Sequence, residues 1–212
     1  KNANYVILGY AEFSIVNLAN HLRKGDDLKN VTKNLWGIYI IDDKVASEYD
    51  FTSSQMTWEK ADVLNFKVLP LEMSRGCIFK CRFCSFPLLG KKKGTYTRSA
   101  DIIKDELTKT YETTGSTSFY ITDDTFNDDN DKIEDFHKLF TSLPFKPKFV
   151  SFLRLDLINK YPHQADLLLE AGLVGNFFGI ESFNHKSSRA IGKGMHPDKI
   201  KERLNWIQNI VK

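Results

Sequence analysis

Cysteine is scarce in this sequence and a long apolar run is missing altogether, and each shortage narrows the reading. Three cysteines occur in 212 residues, an odd count in a long chain, which argues against a framework of paired disulfides. No run of eighteen apolar residues is present, so there is no candidate membrane helix. No charged-then-apolar leader opens the sequence, because Lys1-Asn2-Ala3-Asn4 leads straight into a strand-like Tyr5-Val6-Ile7-Leu8. A net charge of +3 is too small to point to nucleic acid by itself. Internal repeats and low-complexity tracts are also lacking. What is plentiful is apolar side chain, 42% of the residues, enough to bury the core of one or two domains.

The three cysteines are placed together. Cys77, Cys81 and Cys84 lie in Ser74-Arg75-Gly76-Cys77-Ile78-Phe79-Lys80-Cys81-Arg82-Phe83-Cys84, which supplies three thiolates to one small object and no fourth. A structural zinc site usually takes four Cys or His ligands. His21, His137, His163, His185 and His196 are all distant in sequence, and none completes a paired knuckle. A thioredoxin-like pair at Cys81 and Cys84 would leave Cys77 idle. An iron–sulfur cubane normally takes four cysteines, so three would leave one iron open, as a catalytic metal site requires. The cluster is the favoured reading, with zinc or a redox pair as the alternatives. Thiolates on iron suit a reducing cytoplasm.

Around this loop the hydrophobic pattern alternates between strand and helix. Residues 69–73 read as a short strand delivering the cysteines. Residues 99–114 read as a helix capped by Ser99, with Ile103, Leu107 and Tyr111 on one stripe. Ser118 to Thr122 is the next strand, ending in Asp123-Asp124, followed by a helix through Ile133, Phe136, Phe140 and Leu143 that Pro144 stops. Phe149 to Leu153 is a third strand, closed by Arg154-Leu155-Asp156, and the helix after it ends at Gly172. Asn176 to Ile180 is a fourth strand, ending in Glu181-Ser182, before a last helix that Pro197 opens. Four βα units in succession predict a parallel sheet with helices outside. Polar residues at successive strand ends then fall where βα barrels carry their chemistry. Residues 1–68 differ: a strand at Tyr5–Leu8, a helix over Ser14–Leu22 with Ile15, Leu18 and Leu22 inward, and a hairpin of Trp36–Ile41 with Val45–Tyr49.

The Cys-x3-Cys-x2-Cys spacing, the aromatic Phe83 before the last cysteine and the preceding Met73-Ser74-Arg75-Gly76 resemble the radical S-adenosylmethionine enzymes. The resemblance implies a 4Fe-4S cluster on Cys77, Cys81 and Cys84, whose open iron chelates the amino and carboxylate groups of S-adenosylmethionine. It implies reductive cleavage of that molecule, with an electron donor of the flavodoxin or ferredoxin kind as partner, and a reaction such as methylation, methylthiolation or rearrangement. The implied fold is an α/β partial (βα) barrel of six units, of which four are visible over residues 69–212, so the sequence reads as a fragment. Residues 1–68 resemble the end of the cobalamin-binding domain that precedes the barrel in one subclass. The Asp-x-His-x-x-Gly segment that would ligate cobalt is absent, so a simple cap on the barrel is an equal alternative.

The same resemblance assigns candidate cofactor contacts. Phe83 matches the residue whose backbone meets adenine, and it could equally cover the cluster. Asp123 and Asp124 stand where relatives carry Gly-Gly-Glu, offering acceptors to the amino group; a helix N-cap is the alternative. Arg154 could fork onto the carboxylate, or pair with Asp156 or Glu181. Glu181 and Ser182 match a fourth-strand sequence that contacts ribose or carboxylate. Lys193 lies where relatives often keep a basic residue near the carboxylate, with an exposed loop as the favoured reading. Lys91-Lys92-Lys93 is the one dense basic run, expected to be a solvated loop rather than a phosphate contact.

Overall fold

The computed structural model describes residues 3–9, 11–42, 50–64, 66–85 and 96–210. Both Lys91-Lys92-Lys93 and the Val45–Tyr49 arm of the expected hairpin lie outside the described residues. The chain separates into two compact units, Lys1–Asp50 and Phe51–Lys212, so the division falls before residue 68, where the sequence pattern suggested it.

In the first unit, β1 (Tyr5–Leu8), α1 (Glu12–Lys24), β2 (Val31–Lys33) and β3 (Tyr39–Asp42) form a three-stranded sheet in the order β1-β3-β2. The β1–β3 pair is parallel and joined through α1, while β2 runs antiparallel to β3. Tyr5 and Tyr39 stack across the parallel pair at 5.2 Å, a cross-strand contact of the kind that fixes register. Helix α1 ends at Gly25, whose φ of 80° takes the left-handed turn that a side chain would oppose. Leu18 is buried as the periodicity requires, but Ile15 and Leu22, also expected inward, are exposed. The three-stranded sheet covers only the Leu18 line of the helix.

In the second unit, β4 (Leu69–Leu71), β5 (Ser118–Ile121), β6 (Lys148–Leu153) and β7 (Leu173–Phe178) make an all-parallel sheet in sequential order. The connections carry α3 (Ala100–Thr114), α4 (Asn130–Thr141), then α5 (Leu155–Lys160) with α6 (His163–Glu170), and after β7 the helices α7 (His185–Ala190) and α8 (Pro197–Ile210); a short α2 (Lys60–Val63) precedes β4. Sequential order with helical crossovers is what right-handed βα units produce when each strand docks beside its predecessor. This is the partial βα barrel expected from the sequence.

Alternation along the strands sends one set of side chains under the helices. Phe119, Ile121, Phe149 and Leu153 meet Ile103 and Leu107 of α3, Ile133, Phe136 and Phe140 of α4, and Leu168 of α6 in one core. Phe136 packs edge-on to Phe126 at 4.6 Å and to Phe149 at 5.1 Å, the arrangement that ring quadrupoles favour. The opposite face of the sheet carries Tyr120, Phe152 and Phe177, with Phe152 and Phe177 centroids 5.2 Å apart.

Several local expectations are corrected. Strand β7 begins at Leu173 and ends at Phe178, earlier than Asn176–Ile180. Helices α5 and α7 lack the length that makes periodicity legible. Tyr111 is not on the buried stripe of α3; it is exposed and stacks on Phe145 at 4.5 Å. The inward positions are taken by Thr110 and by Glu106, paired with the buried Arg98. Arg98 also donates to the carbonyls of Ser54 and Glu72, and Glu106 accepts from the Met56 amide. These bonds, together with Trp58 and Val63 against the core, explain why residues after Phe51 fold with the sheet. Gly172, predicted at the end of the helix, follows the α6 cap with φ of 104°; a Cβ there would lie 2.1 Å from the Pro147 carbonyl oxygen.

Candidate functional site

Strand β4 ends where the cysteine loop begins, and the loop is held from both sides. On one side, residues 96–98 run beside it: Arg75 N–H donates to Tyr96 O and Arg98 N–H to Met73 O, around an antiparallel bridge between Ser74 and Thr97. On the other, the Arg82 amide donates to Ile191 O at 3.1 Å, which draws the segment after α7 against Cys81. Arg75 is forked onto Glu72 and lies over the Phe51 ring.

Beneath the loop sits a buried polar network. Asp123 is 1% exposed. It accepts hydrogen bonds from the Met73 and Ser74 amides at 2.8 and 2.9 Å and from the Ser74 hydroxyl. Lys132, reaching up from α4, lies 3.5 Å from Asp123 and 2.6 Å from Asp128, and donates to Ser74 Oγ and Thr125 O. Tyr96 closes the network with a 2.9 Å bond to Asp128. Burial pushes the Asp123 carboxyl up from its ordinary value, against the Lys132 charge and the bonds from Ser74 and Met73. Burial, and then Asp128, raise the Tyr96 phenol.

Above the network a cleft of about 420 Å³ opens at the carboxyl ends of the strands, lined by Cys77, Cys81, Phe83, Cys84, Asp124, Thr125, Phe152, Arg154, Glu181 and Lys193 among others. All three cysteines are free thiols. Cys77 Sγ is 3.2 Å from Thr125 Oγ1. Among the described residues no three His, Cys, Asp or Glu side chains are gathered tightly enough to hold a metal ion. The donor set, three cysteines at one cleft wall and no fourth, fits a group with one open position.

The structure sorts the predicted contacts. Phe83, Asp124 and Glu181 line the cleft with the cysteines. Asp123 does not, because its oxygens are turned down into the network. Neither aspartate caps α4; Asp129 does, accepting from the Asp131 amide. Ser182 also lies outside the cleft lining, and its hydroxyl accepts from the Asn184 amide at 3.1 Å. Arg154 lines the cleft, but Nε and Nη2 are forked onto Asp156 at 3.0 and 2.6 Å. Desolvation lowers its pKa while Asp156 and then Cys81 raise it, and the net direction is upward. Lys193, expected in an exposed loop, instead reaches into the cleft with its side chain only 16% exposed, 4.0 Å from Glu181 Oε1. Glu181 has φ of 65°, a left-handed conformation that costs a non-glycine residue about 1 kcal/mol or more.

Thr125 and Lys132 had no signal in the sequence analysis. The pattern Asp123-Asp124-Thr125 at a strand end could have suggested Thr125, but Lys132 looks like any helix lysine until its depth is known. Asn127 was similarly silent. Fully buried, it bonds the Arg154 amide through Oδ1 and the Arg154 carbonyl through Nδ2, fixing the end of β6 against the end of β5.

Comparison with known proteins places the chain in a family. The sequence profile described as the radical SAM superfamily matches residues 71–212. An uncharacterized methyltransferase of Pyrococcus horikoshii, PH0819, is 26% identical over 208 residues, covering 92% of this chain and 44% of the relative. In structure, the cobalamin-dependent S-adenosylmethionine radical enzyme OxsB, solved with aqua-cobalamin and S-adenosylmethionine bound, superposes with a TM-score of 0.66 at 20% identity, covering 94% of this chain and 31% of that one. The radical S-adenosylmethionine methyltransferase TsrM of Kitasatospora setae, solved with tryptophan substrate and a cofactor analogue, gives 0.66 at 14% identity, over 96% and 43%. The chain thus spans less than half the length of each of these proteins. No helix among the described residues is long and apolar enough to cross a membrane.

Proposed function

This chain belongs to the radical SAM superfamily and is an enzyme of that kind, and from that premise we propose that its cleft holds a 4Fe-4S cluster on Cys77, Cys81 and Cys84 with S-adenosylmethionine beside it. The observation that carries the reading is the convergence of all three cysteines on one cleft with Asp124, Glu181 and Lys193. When bound, the cluster supplies a low-potential electron for reductive cleavage of the sulfonium. The chain's own groups bind and orient. Asp124 offers acceptors to the ammonium of the methionine moiety. Lys193 carries the positive charge for its carboxylate, a role for which the sequence offered both Arg154 and Lys193. Glu181 stands at the end of β7 to accept from ribose hydroxyls. Phe83 covers the adenine side, and Phe152 and Phe177 give the cleft an apolar wall. Thr125 steadies Cys77 from behind.

We assign the reaction class as methyl transfer, supported by the curated relative's name. A cobalamin-associated arrangement is supported by likeness to OxsB, which covers 94% of the chain. The reductant is proposed to be a flavodoxin- or ferredoxin-type donor in a reducing cytoplasm.

Anaerobic reconstitution with iron and sulfide tests the core of this reading. About four irons and four sulfides per chain are expected, with a brown colour and absorption near ~400 nm. Cys81→Ala should lose the chromophore. A wild-type protein that takes up zinc and stays colourless would refute it.

A further inference from the structure

Arg154 is held more rigidly than a cofactor-binding arginine needs to be. Its backbone is pinned by Asn127 through bonds of 2.8 and 3.2 Å. One edge of the guanidinium is committed to both oxygens of Asp156, and its carbon lies 3.9 Å from the centroid of the Phe79 ring. The side chain is 8% exposed. What remains free is Nη1, and it points at Cys81 Sγ from 3.6 Å. A planar fork clamped along one edge and stacked on one face can offer its remaining donor in only one direction.

We propose that Arg154 is a positioning residue for Cys81 which, through an N–H···S contact and a fixed positive charge, raises the reduction potential of the cluster. The inference rests on the cluster reading above. Hydrogen bonds to ligand sulfur and nearby charge are established levers on cluster potential. The step involved is a one-electron reduction: an external low-potential donor loses one electron, the cluster gains it, and no bond breaks. The reduced form carries one more negative charge, so a cation beside Cys81 stabilises it more than the oxidised form. Asp156, at the far edge of the same guanidinium, partly offsets that charge. The two side chains should therefore act with opposite signs.

The test is a dithionite titration of the reconstituted chain, followed by the electron paramagnetic resonance signal of the reduced cluster. Arg154→Met is expected to move the midpoint negative by at least tenfold in the oxidised-to-reduced ratio, which is 59 mV for one electron. Arg154→Lys should recover part of that shift by restoring charge without the fork. Asp156→Asn should move the midpoint the other way. Midpoints unchanged within error, or Arg154→Met and Asp156→Asn moving in the same direction, would overturn the proposal. Failure of the wild-type chain to assemble a cluster would instead refute the cluster reading, and it is visible before any variant is compared.

Discussion

Removing the Asp123 carboxylate should unfasten the cysteine loop from the sheet. In Asp123→Ala the amides of Met73 and Ser74 lose their acceptor at a site that is 1% exposed. Each buried unpaired donor costs about 1–3 kcal/mol. Lys132 loses one of two anions but keeps Asp128 at 2.6 Å, so the cation is not orphaned and its share falls at the low end of the ~3–5 kcal/mol expected for breaking a buried pair. These contributions overlap in one network, which sets the total at about 4 kcal/mol rather than their sum. At a urea slope of ~2 kcal/mol/M the midpoint should fall by about 2 M. Asp123→Asn keeps one oxygen for the two amides and loses the acceptor that meets the Ser74 hydroxyl and Lys132, so its cost should be smaller, about half. Equilibrium unfolding followed by tryptophan fluorescence reads both, since Trp58 and Trp206 pack against the core. A loss below about 1 kcal/mol for alanine, or equal losses for the two variants, would refute the reasoning.

Asp123 also predicts a pH dependence. Its folded pKa is raised above the unfolded value, so between the two values the native state binds more protons and stability falls as pH rises. Asp123→Asn should flatten that slope in urea midpoints measured from acid toward neutral pH. Gly172→Ala should cost about 2–4 kcal/mol and lower the thermal midpoint, because the new methyl meets backbone at Pro147 in a left-handed turn; a neutral result would mean the turn can rearrange. Lys193→Met should weaken S-adenosylmethionine binding to the reconstituted protein by roughly 10- to 100-fold, the worth of one charge-assisted bond. Calorimetry would read this, and unchanged affinity would return the carboxylate to Arg154.

The regular part of the fold was legible because its signals are local. The buried strands β5 and β6 and the long helices α3, α4 and α8 carry enough periodicity to be placed within a few residues. The cysteine spacing is equally local. What could not be read was which way a polar side chain turns at a strand end. Asp123 and Asp124 are adjacent and chemically identical, yet one faces the Lys132 network and the other the cleft, a choice made by the loop folding back from β4. Arg154 has Asp156 two residues away, a pairing the sequence already offered, whereas Glu181 and Lys193 stand on either side of α7, so the charges were legible but not which cation the cleft keeps. Tyr111 and Leu22 were misplaced for a related reason: a helical stripe does not reveal how wide a partner surface the sheet presents.

The left-handed backbone at Glu181 has a consequence for how variants of this protein would fare under selection. Glycine at 181 would relax the φ of 65° and should raise thermal stability, while deleting a carboxylate from the cleft. A screen that rewards only folding or expression would therefore drift toward Glu181→Gly, and a screen that rewards turnover would hold the glutamate in place. Residue 181 is thus a position where the population's history, read from many sequences, would report which pressure the enzyme has lived under.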